Sequence, residues 1–208
     1  MPLVFLGYLC CCFFSVCSDL SLAEPLPQAV LAAKLQRITS WQATFTQTTV
    51  TGSTKTHKAT GQIYLSKPSK LRIEINDPYQ LYIINAERVV SYDKALDQAV
   101  IHKTSSQNIL QYPLYLLTSD SAKVFNTGQL IVKQLNSHCF ELTPKNLENG
   151  YEWARFCFNS KNELAKLTIK LTSEQLIEFK FQNHRHPISF DDSRFKFIPK
   201  PSTEVLED

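Results

Sequence analysis

Three groups of side chains in this sequence are of types that could do chemistry. They are His184-Arg185-His186, Asp191-Asp192 and the pair Cys139 and Cys157. Two imidazoles at i and i+2 on a strand share a face and could ligate a metal, but no carboxylate or thiol ligand is obviously supplied beside them. With Pro187 following, the segment reads as a solvated turn, and no metal is expected. Asp191-Asp192 likewise reads as a turn rather than an acid/base pair. The chain has no G-x-S-x-G elbow, no H-E-x-x-H helix and no C-x-x-C. Its five glycines leave little material for a backbone phosphate cradle. These absences argue against an enzyme and against a cofactor.

What remains is the scaffold itself. The chain has 208 residues, 43% hydrophobic and 20% charged, which fits one domain with a substantial core. Net charge is +3, with the basic residues scattered rather than clustered, so no nucleic-acid footprint is present. Residues 3–17 form an apolar run followed by Ser21-Leu22-Ala23, which reads as a signal peptide over 1–23 ahead of a single domain over 24–208. The alternative is a lipoprotein signal ending at Cys17, where Val16 stands in place of the expected small residue. Removing 1–23 takes Cys10, Cys11, Cys12 and Cys17 with it and leaves Cys139 and Cys157. Two cysteines in an oxidising compartment form one disulfide or remain as buried thiols.

Periodicity supplies the elements. Pro27 suits a first helical turn, and Leu31, Leu35 and Ile38 follow at i, i+4 and i+7, predicting an amphipathic helix over 28–40. From Trp41 the period becomes two: Trp41, Ala43, Phe45 and Gln47 alternate with Gln42, Thr44, Thr46 and Thr48. Further strands are expected over 59–66, 70–75, 79–85, 88–92 and 98–103, joined by turns too short for parallel crossovers. Ile109, Leu110, Leu114, Leu116 and Leu117 crowd around Pro113, predicting a short broken helix. Strands resume at Gln129 and run to about Gln182. A hairpin turn centred on Glu148 sets Cys139 opposite Cys157, Phe140 opposite Phe156, Glu141 opposite Arg155 and Leu142 opposite Ala154. Later strands place Ala165, Leu167, Ile169 and Leu171, then Ile177, Phe179 and Phe181, on apolar faces. The tail over 199–208 reads as loosely ordered.

So much one-sided strand with so little helix to cover it predicts a mainly β fold: an incomplete, unclosed antiparallel barrel of about ten to eleven strands under short α-helices. The concave side is filled by its own side chains or in part by a hydrophobic ligand, and periodicity alone does not choose.

Five motifs in order bear on that choice: Trp41-x-Ala43-x-Phe45-x-Gln47, residues 61–68 (GQIYLSKP), Ser91-Tyr92-Asp93 with Gln98-Ala99-Val100, Leu142-Thr143-Pro144-Lys145, and residues 195–199 (FKFIP). Together they resemble the LolA-type periplasmic lipoprotein carriers. The resemblance implies a carrier in the periplasm, working as a monomer without a cofactor. It would take acylated lipoproteins from an inner-membrane ABC transporter complex and pass them to an outer-membrane lipoprotein receptor. Two relatives of the same fold stand as alternatives, a lipid-anchored receptor and a lipid-binding envelope sensor. Carried over by motif, the acyl-chain cavity would comprise Trp41, Phe45, Ile63, Leu65, Leu71, Ile73, Ile75, Phe140 and Phe156. The lid would comprise Leu31, Leu35, Ile38, Ile109, Leu110, Pro113, Leu114 and Leu117. The family typically places Arg before the Pro of the strand-ending motif, where it holds lid carbonyls. This chain has Lys67 there, which keeps the charge and loses the planar fork. Arg72 is a possible substitute, although alternation points it away from the cavity.

Overall fold

A computed structural model describes residues 24–52, 55–104, 113–146 and 150–207. The expected leader with Cys17, lid residues Ile109 and Leu110, and the hairpin tip at Glu148 lie outside the described residues. The chain enters through helix α1 (Pro27–Gln36), then makes β1 (Ser40–Thr51), β2 (Lys55–Ser66), β3 (Lys70–Ile75), β4 (Gln80–Ile84), β5 (Arg88–Asp93) and β6 (Gln98–Lys103). A 3-10 turn (Pro113–Leu117) and helix α2 (Ser121–Asn126) interrupt the strands. They resume as β7 (Leu130–Gln134), β8 (Cys139–Pro144), β9 (Tyr151–Phe158), β10 (Leu164–Leu171), β11 (Gln175–Arg185) and β12 (Glu204–Glu207).

Among the described residues these strands form one sheet of twelve, in the order β12-β6-β5-β4-β3-β2-β1-β11-β10-β9-β8-β7. Its two end strands do not pair, so the barrel is unclosed. Alternation turns Trp41, Ala43 and Phe45 of β1 inward, against Ile63, Leu65, Leu71, Phe140, Phe156, Leu167 and Phe181. Leu31 and Leu35 of α1 join the same cluster at 0% exposure, together with Leu116 and Leu117 of the 3-10 turn. Gly61 belongs here because a Cβ would lie 2.1 Å from the Glu74 carbonyl oxygen and 2.4 Å from the Phe45 ring, closer than any side chain tolerates.

Several expectations need correcting. Helix α1 stops at Gln36 rather than running to Ser40, because Ser40 already pairs with Ser66 in the β1–β2 ladder. Strand β2 starts at Lys55, four residues before the apolar signal, as β1 continues to pair with a stretch whose two faces are both exposed. On β10 a bulge between Leu164 and Lys166 turns Leu164 inward, in place of Ala165. The tail is not loose: β12 pairs with β6, the one parallel pairing in an otherwise antiparallel sheet. Asp97 ties it there, its carboxylate accepting from the hydroxyls of Ser202 and Thr203 at 2.8 and 2.9 Å. Its backbone carbonyl takes the Glu204 N–H at 2.9 Å.

The β8–β9 register places Cys139 opposite Cys157, Phe140 opposite Phe156, Glu141 opposite Arg155 and Leu142 opposite Ala154. Arg155 Nη2 lies 2.7 Å from Glu141 Oε2. The two sulfurs are bonded across a sequence separation of 18. Loop-closure entropy for a ring of that size gives about 3 kcal/mol of stabilisation. The expected outcome for the double variant Cys139→Ser/Cys157→Ser is a urea-unfolding free energy lower by about that amount. An unchanged midpoint would refute the assignment.

Candidate functional site

The sheet's concave face is only partly roofed. Between the helices and strands β3 to β5 on one side, and β10 and β11 on the other, lies a cavity of about 320 Å³. Its walls are Leu71, Ile73 and Ile75 from β3, Gln80, Tyr82 and Ile84 from β4, and Val89 from β5. Ile169 and Leu171 of β10, Ile177 and Phe179 of β11, and Gln47 of β1 complete them, and Pro113 and Leu114 of the 3-10 turn reach in from the roof. Strands β4 and β5 are apolar on their outer side as well. Leu81, Ile83 and Val90, with Ile101 of β6, form a second cluster there, against which Phe197 packs.

The roof is α1, the 3-10 turn and α2, which pack on one another and into the main cluster. Polar contacts between roof and barrel hold it in place. Lys67, in the turn after β2, donates from Nζ to the Leu35 carbonyl at 2.7 Å. That carbonyl lies in the last turn of α1, where it also accepts the Ile38 N–H at 3.2 Å and where the helix dipole favours a cation. Burial pushes the Lys67 ammonium below the usual lysine range, and the nearby Asp120 carboxylate pulls it partway back. The same turn also uses backbone: Lys67 N–H donates to Thr39 O at 2.8 Å, and Ser69 N–H to Thr118 O at 3.2 Å. Farther along α1, Lys34 Nζ donates to Asn162 Oδ1 at 2.6 Å and lies 5.3 Å from the Phe158 ring centroid. Arg72 plays no part in this. Its guanidinium pairs with Glu74 at 2.6 Å and donates to the Arg194 carbonyl at 3.0 Å.

Of the residues assigned to the cavity from sequence, Leu71, Ile73 and Ile75 line it. Trp41, Phe45, Ile63, Leu65, Phe140 and Phe156 lie in the packed cluster and do not border that space. Of the lid residues, Leu31, Leu35 and Leu117 are buried in the cluster, Ile38 and Leu114 are partly buried against it, and Pro113 and Leu114 reach the cavity. Tyr82, Ile84, Val89, Ile169, Leu171, Ile177 and Phe179 also line the wall, beyond the residues expected from sequence. Period-two alternation extended inward from Ile73 and Ile75 across β4, β10 and β11 finds most of them. Helix α2 was likewise not expected, although Asp120 accepts from the Lys123 N–H as a side-chain N-cap and Phe125 is buried.

His184-Arg185-His186 is not a turn, since β11 continues through Arg185. Trp41 Nε1 donates to His184 Nδ1 at 3.1 Å, and the two rings stack at 5.8 Å between centroids. His186 Nε2 lies 3.0 Å from Glu163 Oε1. Burial lowers the His184 imidazole below its ordinary value of 6.5, with Glu163 opposing. The neutral ring is therefore the native form, while the unfolded chain takes up its proton near 6.5. Stability from this group is complete above that pH and is lost as the pH falls toward the lowered native value. Urea midpoints are expected to drop as the pH falls below about 6.5, and a His184→Phe variant, which keeps the stack, is expected to lose that part of the slope. An identical slope in the variant would contradict the assignment.

The comparisons with known proteins agree with this geometry. A family model described as outer membrane lipoprotein carrier protein LolA matches residues 36–198. An outer-membrane lipoprotein carrier protein of Methylococcus capsulatus is 29% identical over 191 residues, 90% of this chain and 91% of the relative. One from Francisella philomiragia is 28% identical over 181 residues, 86% and 87% of the two chains. In fold alone, the chain is similar to the crystal structure of an uncharacterized conserved protein from Thermus thermophilus, with a TM-score of 0.52 and 12% identity over 87% of this chain and 98% of that one. With an unclosed barrel, a roofed apolar cavity and a family match over most of its length, the chain belongs to the LolA family of outer membrane lipoprotein carrier proteins.

Proposed function

We propose that this protein carries lipoproteins through the periplasm as a monomer, sheltering their acyl chains in the cavity under the α1 roof. An inner-membrane ABC transporter complex loads it, and an outer-membrane lipoprotein receptor unloads it. The observation that carries this reading is an apolar space whose cover is joined to the barrel by a few polar contacts, the Lys67–Leu35 bond foremost.

Magnitudes explain why a carrier needs both parts. Each methylene kept from water is worth about 0.8 kcal/mol, so an anchor with about 45 of them gains roughly 35 kcal/mol as an upper bound. No such anchor leaves a membrane alone. The cavity, about 320 Å³, is at the small end of sites for a single drug-sized ligand, roughly 300–1,000 Å³. Several fatty chains therefore require the roof to lift. When it returns, Leu31, Leu35, Pro113 and Leu114 compete with the ligand for the same apolar surface, which makes release possible.

The test mixes purified protein with inner-membrane vesicles holding a lipoprotein, the transporter complex and ATP. A soluble one-to-one complex of carrier and lipoprotein is expected. Lipoprotein that stays in the vesicle pellet under all conditions would overturn the proposal.

A further inference from the structure

Gln47 breaks the pattern of the strand that carries it. The preceding inward positions of β1, Trp41, Ala43 and Phe45, are buried and apolar. Gln47 continues that row into the cavity wall, beside Ile177 and Phe179. Its neighbours in register are Phe179 on β11 and Ala59 on β2, so the sheet itself gives it no polar side-chain partner there. Its amide nitrogen is engaged, donating to Thr49 Oγ1 at 3.1 Å. Its Oε1 is buried and has no hydrogen-bond partner. The other glutamine of the wall, Gln80, differs, because its amide donates to Asp93 Oδ2 at 3.1 Å.

A buried carbonyl without a donor is costly, and hydrocarbon supplies none. An isosteric Met would serve a purely greasy wall better, so the wall here is suited to a ligand that brings an N–H. Register places that demand at one end of the cavity. Gln47 is level with Ala59, Ile75 with Gly61 and Gln80 with Ile75, so both glutamines lie toward the β1–β2 hairpin, while Leu71 and Ile84 mark the opposite end. The acylated terminus of a lipoprotein carries glyceryl esters, which only accept hydrogen bonds, and where its amino group is acylated it carries one amide N–H at the root of a chain. The diacylglycerol part of a phospholipid has esters alone.

We propose that Gln47 Oε1, covered in the empty protein and uncovered when the roof lifts, accepts the amide N–H at the root of an N-linked acyl chain and so makes the cavity selective for amide-linked lipid over ester-only lipid. This rests on the acyl-binding reading above. It fixes the orientation of the anchor, with the amide toward the hairpin end and the tail toward Leu71 and Ile84.

The experiment compares two lipopeptides displacing a fluorescent fatty acid: a tripalmitoylated cysteinyl peptide, and the same molecule with the acylated N–H replaced by an ester oxygen. The native protein is expected to bind the amide about tenfold more tightly. Gln47→Met is expected to bind both alike, near the weaker value. Equal affinities in the native protein, or an unchanged preference in Gln47→Met, would overturn the role of Gln47 while leaving acyl binding intact. Failure of both lipopeptides to displace the probe from native protein would overturn acyl binding and this inference with it.

Discussion

A Lys67→Leu carrier is expected to fill with lipoprotein and keep it. The native ammonium donates to the Leu35 carbonyl at the end of α1, and Leu cannot. A hydrogen bond to a charged group contributes about 1.5–3 kcal/mol, so the closed state should lose roughly ten- to a hundredfold in population relative to the open one. Cargo competes with closure for the same surface, so weaker closure means slower release to the receptor. The variant also removes a charge from a half-buried site, which offsets part of the lost bond, so its unfolding free energy is expected to fall by less than about 3 kcal/mol while the circular dichroism spectrum stays native, which separates a broken latch from a damaged fold. Lys67→Arg supplies a fork that can reach more than one carbonyl and is expected to release cargo at least as well as the native protein. Release of bound lipoprotein to purified receptor, followed over time, is the measurement; a native rate in Lys67→Leu would remove the latch from the mechanism.

The opposite failure is expected from Ile177→Glu. Ile177 lines the cavity and is partly exposed, so a carboxylate there can stay hydrated in the empty protein and leave folding largely intact. Filling the cavity with hydrocarbon would strip that hydration. At about 3 kcal/mol for a polar group losing water without a partner, capture from vesicles should fall about a hundredfold. Undiminished capture with a native unfolding midpoint would show that the acyl chains bind elsewhere.

The two variants act on different parts, and the sequence made those parts legible to different degrees. Strand faces were readable because one face is wet and the other buried: the β3 row Leu71, Ile73, Ile75 needs only period-two alternation, and the β8–β9 pairs add a hairpin turn centred on Glu148. Lys55 to Lys58 of β2 carried no such signal, since that stretch is exposed on both faces and is held by its partner strand. Strand β12 escaped for a related reason, as its four residues are all exposed and are held by tertiary contacts: its pairing with β6, the Gln98 amide on Glu204, and Asp97 on the preceding turn. The apolar row containing Trp41, Phe45 and Ile63 was legible as an inward face. Whether an inward residue borders empty space or packed side chains depends on where the roof lies, and α1, the 3-10 turn and α2 settle that by tertiary packing. Gln47 was visible in the β1 alternation as a polar residue in an apolar row, but its unpaired oxygen emerges only with coordinates.

Carriage of acyl chains in this cavity depends on a roof that moves. Spin labels introduced through unnatural amino acids at Ala33 on α1 and Glu87 beside β5, both exposed, leave the Cys139–Cys157 bond untouched. Distances measured with the carrier empty and loaded with a triacylated lipoprotein test the motion directly. A longer separation on loading, returning to the empty value after transfer to the receptor, is the predicted result. One unchanged distance in both states, with lipoprotein bound at one-to-one, would contradict it.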